Sequence, residues 1–151
     1  MKRAIIASLL ACAVPALAVD RPDPTLTPGA TRTATVDLIC HTKTAAVRDV
    51  SEKTKRQVYE RYGLTAPRTG YCSGSEGCEV DHLISLGLGG SNAVENLWPQ
   101  PYQGNYNARM KDKLENRLRK MVCSGELNLE TAQSMISKDW IGAYKKLLED
   151  E

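Results

Sequence analysis

Apolar residues recur at helical spacing in the second half of the chain. Across residues 106–122 they follow one another at intervals of four, four, three and one, which places them on one side of a helix: Met110, Leu114, Leu118, Met121 and Val122. Ser124 and Gly125 end this pattern, and Asn128 is a suitable N-cap for a last helix that reaches about residue 148. The inward side of that helix would carry Ala132, Met135, Ile136, Trp140, Ile141, Tyr144 and Leu147. The pattern therefore predicts two consecutive helices.

The first half of the chain contains one further predicted helix. Ser51 is a typical N-cap, and the helix that it begins runs to about Tyr62, before Gly63. Val58, Tyr59 and Tyr62 would form its apolar side. Residues 35–40 are predicted as a short strand or an edge segment.

The centre of the chain has the pattern of a hairpin. Residues 80–86 and 96–98 are short apolar segments that predict two strands, and the glycine-rich residues 87–92 form the turn between them. Pro99 and Pro101 are expected to end the second strand, because proline cannot donate to a strand ladder. Strand, turn, strand and helix, flanked by helices on both sides, predict a small α+β domain over residues 37–151.

The first 18 residues have the pattern of a secretory signal. Met1-Lys2-Arg3 is basic, residues 4–14 are apolar, and residues 16–18 form an Ala-x-Ala cleavage site. A second interpretation is a lipoprotein signal that would leave an acylated Cys12. The apolar run is too short to span a bilayer, so we expect a periplasmic or secreted protein without stable membrane insertion. Residues 19–36, rich in proline and threonine, predict an extended and poorly ordered lead-in.

Charge is distributed unevenly along the chain. Without residues 1–18, 18 basic and 18 acidic residues remain, and this zero net charge argues against a protein that binds nucleic acid through its overall charge. Residues 105–122, however, hold six basic and two acidic residues, a net charge of +4, whereas residues 126–151 have a net charge of −3. This asymmetry predicts one face that attracts an anion, and the candidates for phosphate contacts are Arg109, Lys111, Lys113 and Arg117.

Four cysteines remain beyond the predicted signal, at positions 40, 72, 78 and 123. An even number of cysteines in an exported chain predicts disulfides, and four cysteines allow three pairings. We favour Cys72–Cys78, which closes a short flexible loop, and Cys40–Cys123, which ties the first third of the chain to the basic helix; each bond would contribute ~2–4 kcal/mol. A structural zinc site is the alternative, but the chain has no Cys-x-x-Cys pair.

The chemistry of the predicted hairpin lies at Asp81 and His82, at the start of the glycine turn. A histidine with a pKa near ~6.5 suits the deprotonation of water near pH 7. Asp81 and an asparagine carbonyl suit a hard cation such as Mg²⁺, which prefers oxygen ligands and keeps several waters. Neighbouring strand residues point to opposite faces, so both side chains share a pocket only if His82 lies at a bend.

Asp81-His82, the Gly89-Gly90 turn, Asn96-Leu97 and an asparagine that opens a basic helix resemble the HNH branch of the His-Me finger nucleases. The resemblance covers residues 78–122, about a third of the chain beyond the signal, and the whole of that chain is similar to small exported bacterial proteins of HNH type. It implies a ββα-metal core of two strands and a helix that hold one divalent metal ion.

The resemblance also implies roles for single residues. His82 would be the general base, Asp81 a metal ligand, and Asn96 the residue that holds the loop behind His82. Either Asn105 or Asn107 would supply the ligand on the helix, with Asn107 narrowly preferred. The metal would be Mg²⁺, with Mn²⁺ as an alternative, because the chain has only two histidines, His41 and His82.

The sequence thus predicts an exported, monomeric, metal-dependent endonuclease that hydrolyses phosphodiester bonds, in DNA rather than RNA. The main alternative is a non-catalytic module of the cell envelope that keeps the same scaffold and binds a partner there. A third interpretation is a disulfide-stapled envelope protein in which Asp81 and His82 are bonded only to each other.

Overall fold

A computed structural model describes residues 20–64 and 77–149. Two strands and four helices follow one another in this part of the chain: α1 (Val36–His41), α2 (Glu52–Arg61), β1 (Cys78–His82), β2 (Leu97–Pro101), α3 (Ala108–Ser124) and α4 (Leu129–Tyr144). A π-helical turn, Lys145–Glu149, continues α4. The mixed α+β class expected from the sequence is confirmed.

The two strands form an antiparallel hairpin, with His82 opposite Leu97 and Cys78 opposite Pro101. The first strand ends four residues before the predicted boundary at residue 86, because the chain bends after His82 and then forms a short 3₁₀ turn, Leu86–Leu88. The second strand continues through Pro99 and ends at Pro101, so the prediction that proline ends this strand is wrong for Pro99 but agrees with the structure at Pro101. The two prolines are two residues apart, so their backbone nitrogens lie on the same side of β2. This side faces away from β1, so the absence of their N–H groups removes no hydrogen bond between the strands.

The predicted helical periodicity of the second half is confirmed by α3 and α4, which pack against each other. Asn107 and Asn128 cap the two helices through their side chains, and Gly125 ends α3 at φ 79°, a left-handed conformation that favours glycine. Leu114 and Leu118 of α3 are fully buried against Trp140 and its neighbours on α4. Ile84 and Leu88, from the loop between the two strands, are part of the same core.

The prediction of a strand at residues 35–40 is wrong, because this segment forms α1. The Thr35 hydroxyl accepts a hydrogen bond from the Leu38 N–H and caps the helix. Only Ile39 of α1 is buried, whereas Leu38 remains 47% exposed. Contacts elsewhere, rather than an apolar stripe, therefore hold this short helix in place. The predicted helix after Ser51 is confirmed by α2.

One of these contacts is the disulfide between Cys40 at the end of α1 and Cys123 at the end of α3, which confirms that predicted pair. The Arg119 side chain adds hydrogen bonds to the carbonyl oxygens of Ile39 (2.8 Å) and Thr42 (2.9 Å), which the end of a helix leaves unpaired. The other predicted pair, Cys72–Cys78, includes a residue outside the described part of the chain and stays a prediction.

Residues 20–35 turn at positions 24–26 and pack against other parts of the protein. Thr27 is 1% exposed, and its hydroxyl donates to the Leu97 carbonyl oxygen at 2.9 Å. The Trp140 indole N–H donates to the Asp20 carbonyl oxygen at 3.0 Å, and Thr31 forms a bridge with Gly90. The segment therefore connects the hairpin to α4 through these contacts. The predicted signal, residues 1–18, and Cys12 lie outside the described residues.

None of the helices in the described ranges is long and apolar enough to cross a bilayer.

Candidate functional site

His82 is the last residue of β1, and its side chain lies in the wall of a cavity with only 1% of its surface exposed. Its Nε2 lies 3.0 Å from Asn92 Oδ1. The Asn92 amide nitrogen donates to the Val47 carbonyl oxygen at 2.9 Å, which fixes Oδ1 as the atom that faces His82. His82 must therefore carry its proton on Nε2 when neutral, and the lone pair lies on Nδ1, which no residue in the described ranges hydrogen-bonds.

The protonation state follows from the surroundings. Burial lowers the pKa of His82 below its ordinary value of about 6.5, and this effect outweighs the hydrogen bond to Asn92 and the negative charge of Asp81, which raise the pKa. The imidazole is therefore neutral at pH 7. A neutral imidazole whose free nitrogen is fixed by its hydrogen-bonded nitrogen has the form that a general base needs.

Asn96 closes the loop that connects the two strands. It is fully buried, its Oδ1 accepts from the Ile84 N–H at 2.9 Å, and its Nδ2 donates to the carbonyl oxygens of Ile84 and Ser91, both at 2.9 Å. Gly90 lies under this amide, and a Cβ at Gly90 would approach the Ile84 carbonyl oxygen to 1.7 Å. Asn96 therefore holds the loop that follows His82 through its side-chain hydrogen bonds.

Asp81 and His82 line the same cavity because β1 ends at His82 and the chain bends at Leu83. Asp81 Oδ2 accepts from the Lys111 ammonium at 2.7 Å. Lys111, one turn into α3, has no exposed surface; its Nζ also donates to the His82 carbonyl oxygen at 2.6 Å and to Glu115. An ion-pair network thus joins the end of the strand to the helix.

The pKa values of this network reflect burial and the charges of neighbouring groups. Burial alone would lower the pKa of Lys111, but the charges of Asp81 and Glu115 raise it above its usual range. Burial raises the pKa of Glu115 to about 7 against the opposing effect of Lys111. Burial and then the charge of Asp81 also raise the pKa of Asp112. Burial is therefore the main cause that raises the pKa of these two carboxylates, and the charge of Asp81 adds to it.

The cavity that these side chains share has a volume of about 190 Å³. Its wall combines carboxylates, guanidinium groups and neutral polar groups, from Thr44, Arg48, Asp81, His82, Ser85, Leu86, Gly87, Asp112, Glu115, Asn116 and Arg119. Arg48 is exposed, and its guanidinium group forms no hydrogen bond or ion pair within residues 20–64 and 77–149. The Ser85 hydroxyl is buried in the wall without a partner among the described residues. Both groups can donate to an anion.

The structure does not bring the two predicted helix ligands to this cavity. Neither Asn105 nor Asn107 lines it, and the Asn107 side chain is used as the cap of α3, where Oδ1 accepts from Met110 N at 3.3 Å and Nδ2 donates to Gly104 O at 3.1 Å. The oxygen-bearing side chains that α3 does present to the cavity are Asp112, Glu115 and Asn116. Asn105 and Asn107 therefore do not share a cavity with Asp81 and His82.

The residues predicted to contact phosphates differ in accessibility. Arg109 is exposed, with its guanidinium carbon 5.4 Å from the centre of the Tyr102 ring, and Lys113 is also exposed. Arg117 is half-buried. Lys111 is fully buried with all three ammonium hydrogens engaged, so the prediction that it contacts nucleic acid is wrong.

The residues present fit a hydrated hard cation rather than a closed metal site. The described ranges contain no cluster of three His, Cys, Asp or Glu side chains arranged as metal ligands. Three carboxylates (Asp81, Asp112 and Glu115) nevertheless lie at the cavity, beside the Lys111 ammonium and the guanidinium groups of Arg48 and Arg119. One or two protein oxygens suffice for Mg²⁺, which keeps most of its waters. Asp81 and Asp112 are the carboxylates best suited to this role.

Several residues of the site were not recognised from the sequence: Arg48 as part of the cavity, Ser85, Asn92, Asp112 and Asn116. Asp112, Glu115, Asn116 and Arg119 follow one another at intervals of three, one and three, which was a visible signal of one polar helix face. No comparable signal exists for Asn92, because its contact with His82 depends on the path of the loop.

Comparisons of this chain with protein-family models, with curated proteins and with solved structures give no match.

Proposed function

We propose that this protein is an exported, metal-dependent endonuclease that hydrolyses phosphodiester bonds with His82 as general base. The observation that carries the proposal is the neutral His82 imidazole, oriented by Asn92, in a cavity with carboxylates and an unpaired arginine. Hydrolysis of a phosphodiester requires a base that deprotonates water, and it requires positive charge around the phosphate. The two strands and α3 would then form the ββα-metal core that the resemblance implies.

His82 performs the proton transfer in the proposed reaction. Its Nδ1 accepts a proton from a water molecule, and the oxygen of that water attacks phosphorus in line with the leaving 3′ oxygen. The phosphorus–oxygen bond to the leaving group breaks as the new one forms. The proton on Nε2 stays on the Asn92 side, so the imidazolium that forms is stabilised where it is already hydrogen-bonded.

A divalent metal ion, when bound, would stabilise the negative charge on the phosphate and the leaving oxygen. Asp81 and Asp112 would hold it on the acidic side of the cavity. Mg²⁺ is the preferred ion, and Mn²⁺ would substitute for it.

Arg48 and Ser85 would contact the phosphate itself. The Arg48 guanidinium is exposed at the cavity and unpaired within the described ranges, and the Ser85 hydroxyl is a buried donor without a partner there. Guanidinium groups bind phosphate oxygens through paired hydrogen bonds. Arg109 and Lys113 lie outside the cavity lining and would contact neighbouring phosphates of the nucleic acid.

The test is plasmid and single-strand nicking by oxidised protein comprising residues 19–151, with Mg²⁺, with Mn²⁺ and with a chelator. We expect metal-dependent cleavage that falls by ~10²–10⁴-fold in His82→Ala, the usual range for loss of a general base. His41→Ala is the matched control, because it removes the other histidine of the chain, which is exposed on α1. Cleavage by His82→Ala at the wild-type rate would refute the assignment.

A second variant pair tests the phosphate contact. Arg48→Ala should weaken nucleic-acid binding and reduce the slope of its salt dependence by about one counterion, because one phosphate contact is lost. Arg56→Ala on α2 removes an exposed arginine that does not line the cavity and should leave the slope unchanged. Equal effects of the two substitutions would show that nucleic-acid binding depends only on the overall charge of the protein.

The second candidate function is a non-catalytic binding module of the cell envelope. The observation that favours it is the Lys111 network, which already neutralises part of the charge on Asp81 and Glu115 without a metal ion. This candidate predicts a folded protein that neither cleaves nucleic acid nor is stabilised by Mg²⁺ or Mn²⁺.

A further inference from the structure

We infer that Lys111 is a positioning residue of the proposed nuclease site, whose ammonium group fixes Asp81 and the main chain of His82 relative to α3. The inference rests on the proposed function only in its consequence for cleavage. Its structural part concerns the arrangement of three groups around one buried cation.

The geometry around the ammonium is complete. Lys111 Nζ has three hydrogens and three acceptors: Asp81 Oδ2 at 2.7 Å, the His82 carbonyl oxygen at 2.6 Å, and Glu115. The side chain has no exposed surface. A lysine is rarely buried to this extent unless its charge is compensated, and here two carboxylates compensate it.

The contacts join elements that are far apart in sequence. Asp81 and His82 precede Lys111 by 30 and 29 residues and lie at the end of β1, whereas Glu115 is one turn further along α3. The bond to the His82 carbonyl oxygen holds the backbone from which the imidazole projects. The bond to Asp81 uses Oδ2 and leaves Oδ1 without a hydrogen bond among the described residues. Lys111 therefore acts on the reaction through two other residues and does not itself reach the substrate.

The charge of Lys111 also keeps the acidic groups together. Without the ammonium, Asp81, Asp112 and Glu115 would repel one another across the cavity wall, and the carboxylate of Asp81 would lose its fixed orientation. Residues that hold metal ligands in place typically change activity or metal affinity by 10- to 100-fold when substituted. A small cation that can enter the space left by the side chain should restore the arrangement.

Chemical rescue provides the experiment. Lys111→Ala removes the equivalent of propylammonium, and added propylammonium should raise the midpoint of thermal unfolding of this variant by about 4 °C at ten times its dissociation constant. Neutral 1-propanol, of similar size, should not. The control is Lys55→Ala, which removes an exposed ion pair of 2.7 Å between Lys55 and Glu52 on α2 and offers no buried space for the amine.

The second readout is the NMR signal of the His82 imidazole, measured without nucleic acid. We expect it to shift in Lys111→Ala, to return towards the wild-type position with propylammonium, and to stay unchanged in Lys55→Ala. Cleavage should fall roughly 10- to 100-fold in Lys111→Ala and recover in part with the amine. If the wild-type protein does not cleave but rescue is seen by unfolding and NMR, the proposed function fails and the inference on positioning stands.

Two outcomes would overturn the inference. One is a Lys111→Ala protein that propylammonium neither stabilises nor, if it is unfolded, helps to fold. The other is a Lys111→Met protein with a wild-type His82 signal, because methionine keeps the length of the side chain but neither its charge nor its hydrogen bonds.

Discussion

The disulfide between Cys40 and Cys123 should contribute both to the stability of the fold and to the geometry of the site. The two cysteines are 83 residues apart, and a cross-link over a loop of this length restricts the unfolded chain by about 4.5 kcal/mol in the chain-entropy description. Because domains of this size are typically stable by only ~5–15 kcal/mol, Cys40→Ser/Cys123→Ser should lose a large part of the free energy of unfolding.

The same bond holds one wall of the cavity. It fixes the end of α1. The residues that follow include Thr44 and Arg48, which line the cavity, and Val47, whose carbonyl oxygen accepts a hydrogen bond from Asn92. Since Asn92 orients His82, we expect the double serine variant to show a displaced His82 imidazole signal even at temperatures where it remains folded.

Urea unfolding of the oxidised wild type and of the double variant measures the stability difference, and NMR of His82 measures the local effect. Val36→Ala serves as a control, because Val36 is on α1 but 43% exposed and outside the bonds described above. A loss of less than about 1 kcal/mol in the double variant would refute the argument from chain entropy. An unchanged His82 signal would show that α1 keeps its place through the Arg119 bonds alone.

Four further predictions concern single residues of the site. An NMR titration of the metal-free protein should give His82 a pKa below 6.5, because burial disfavours the imidazolium; a value above 6.5 would show that burial does not outweigh the effects of Asn92 and Asp81. Asn92→Ala should reduce cleavage roughly 10- to 100-fold and destabilise the fold by ~1–3 kcal/mol, as measured by initial rates and urea unfolding, since it leaves buried polar groups unpaired. Asn107→Ala should cost about 1 kcal/mol of stability through the lost cap but leave Mn²⁺ affinity unchanged in calorimetry; weaker Mn²⁺ binding would restore the sequence-based assignment. Gly90→Ala should destabilise the fold by more than about 4 kcal/mol in urea unfolding, because its Cβ would collide with the Ile84 carbonyl oxygen.

Long amphipathic helices could be predicted from the sequence because their signal is repeated over several turns. Leu114, Leu118 and Val122 of α3 are buried, as their spacing indicates, and the caps at Asn128 and Ser51 are found in place. The short α1 could not be distinguished from a strand, because its six residues bury only Ile39 and its position depends on a disulfide and on Arg119.

The parts of the site that lie on one local stretch of chain were also predictable. Asp81 and His82 are adjacent, and Asn96 follows at the end of the same loop, so the sequence indicated that these three residues belong together. The residues of α3 that face the cavity were not predictable from their distance along the chain, because successive side chains of a helix are rotated by about 100° and only the packing of α3 selects the face that meets β1. Asn107 therefore caps the helix, and Asp112 and Glu115 face the cavity.

The segment 20–35 illustrates a different limit. Its composition is typical of a loose terminal segment, but its order depends on partners that composition does not contain: the Leu97 carbonyl oxygen for Thr27, and the Trp140 indole for the backbone of Asp20. These contacts form only once the hairpin and α4 are in place.

The prolines of β2 also limit how this protein can associate with other chains. The outer side of a two-stranded sheet normally offers N–H and C=O groups to which a strand of another molecule can add. On this side of β2, Pro99 and Pro101 have no N–H to donate, and the carbonyl oxygen of Leu97 is already taken by Thr27. Addition of a foreign strand at this edge would find few bonding positions, so the hairpin is protected against edge-to-edge aggregation and fibril growth along β2.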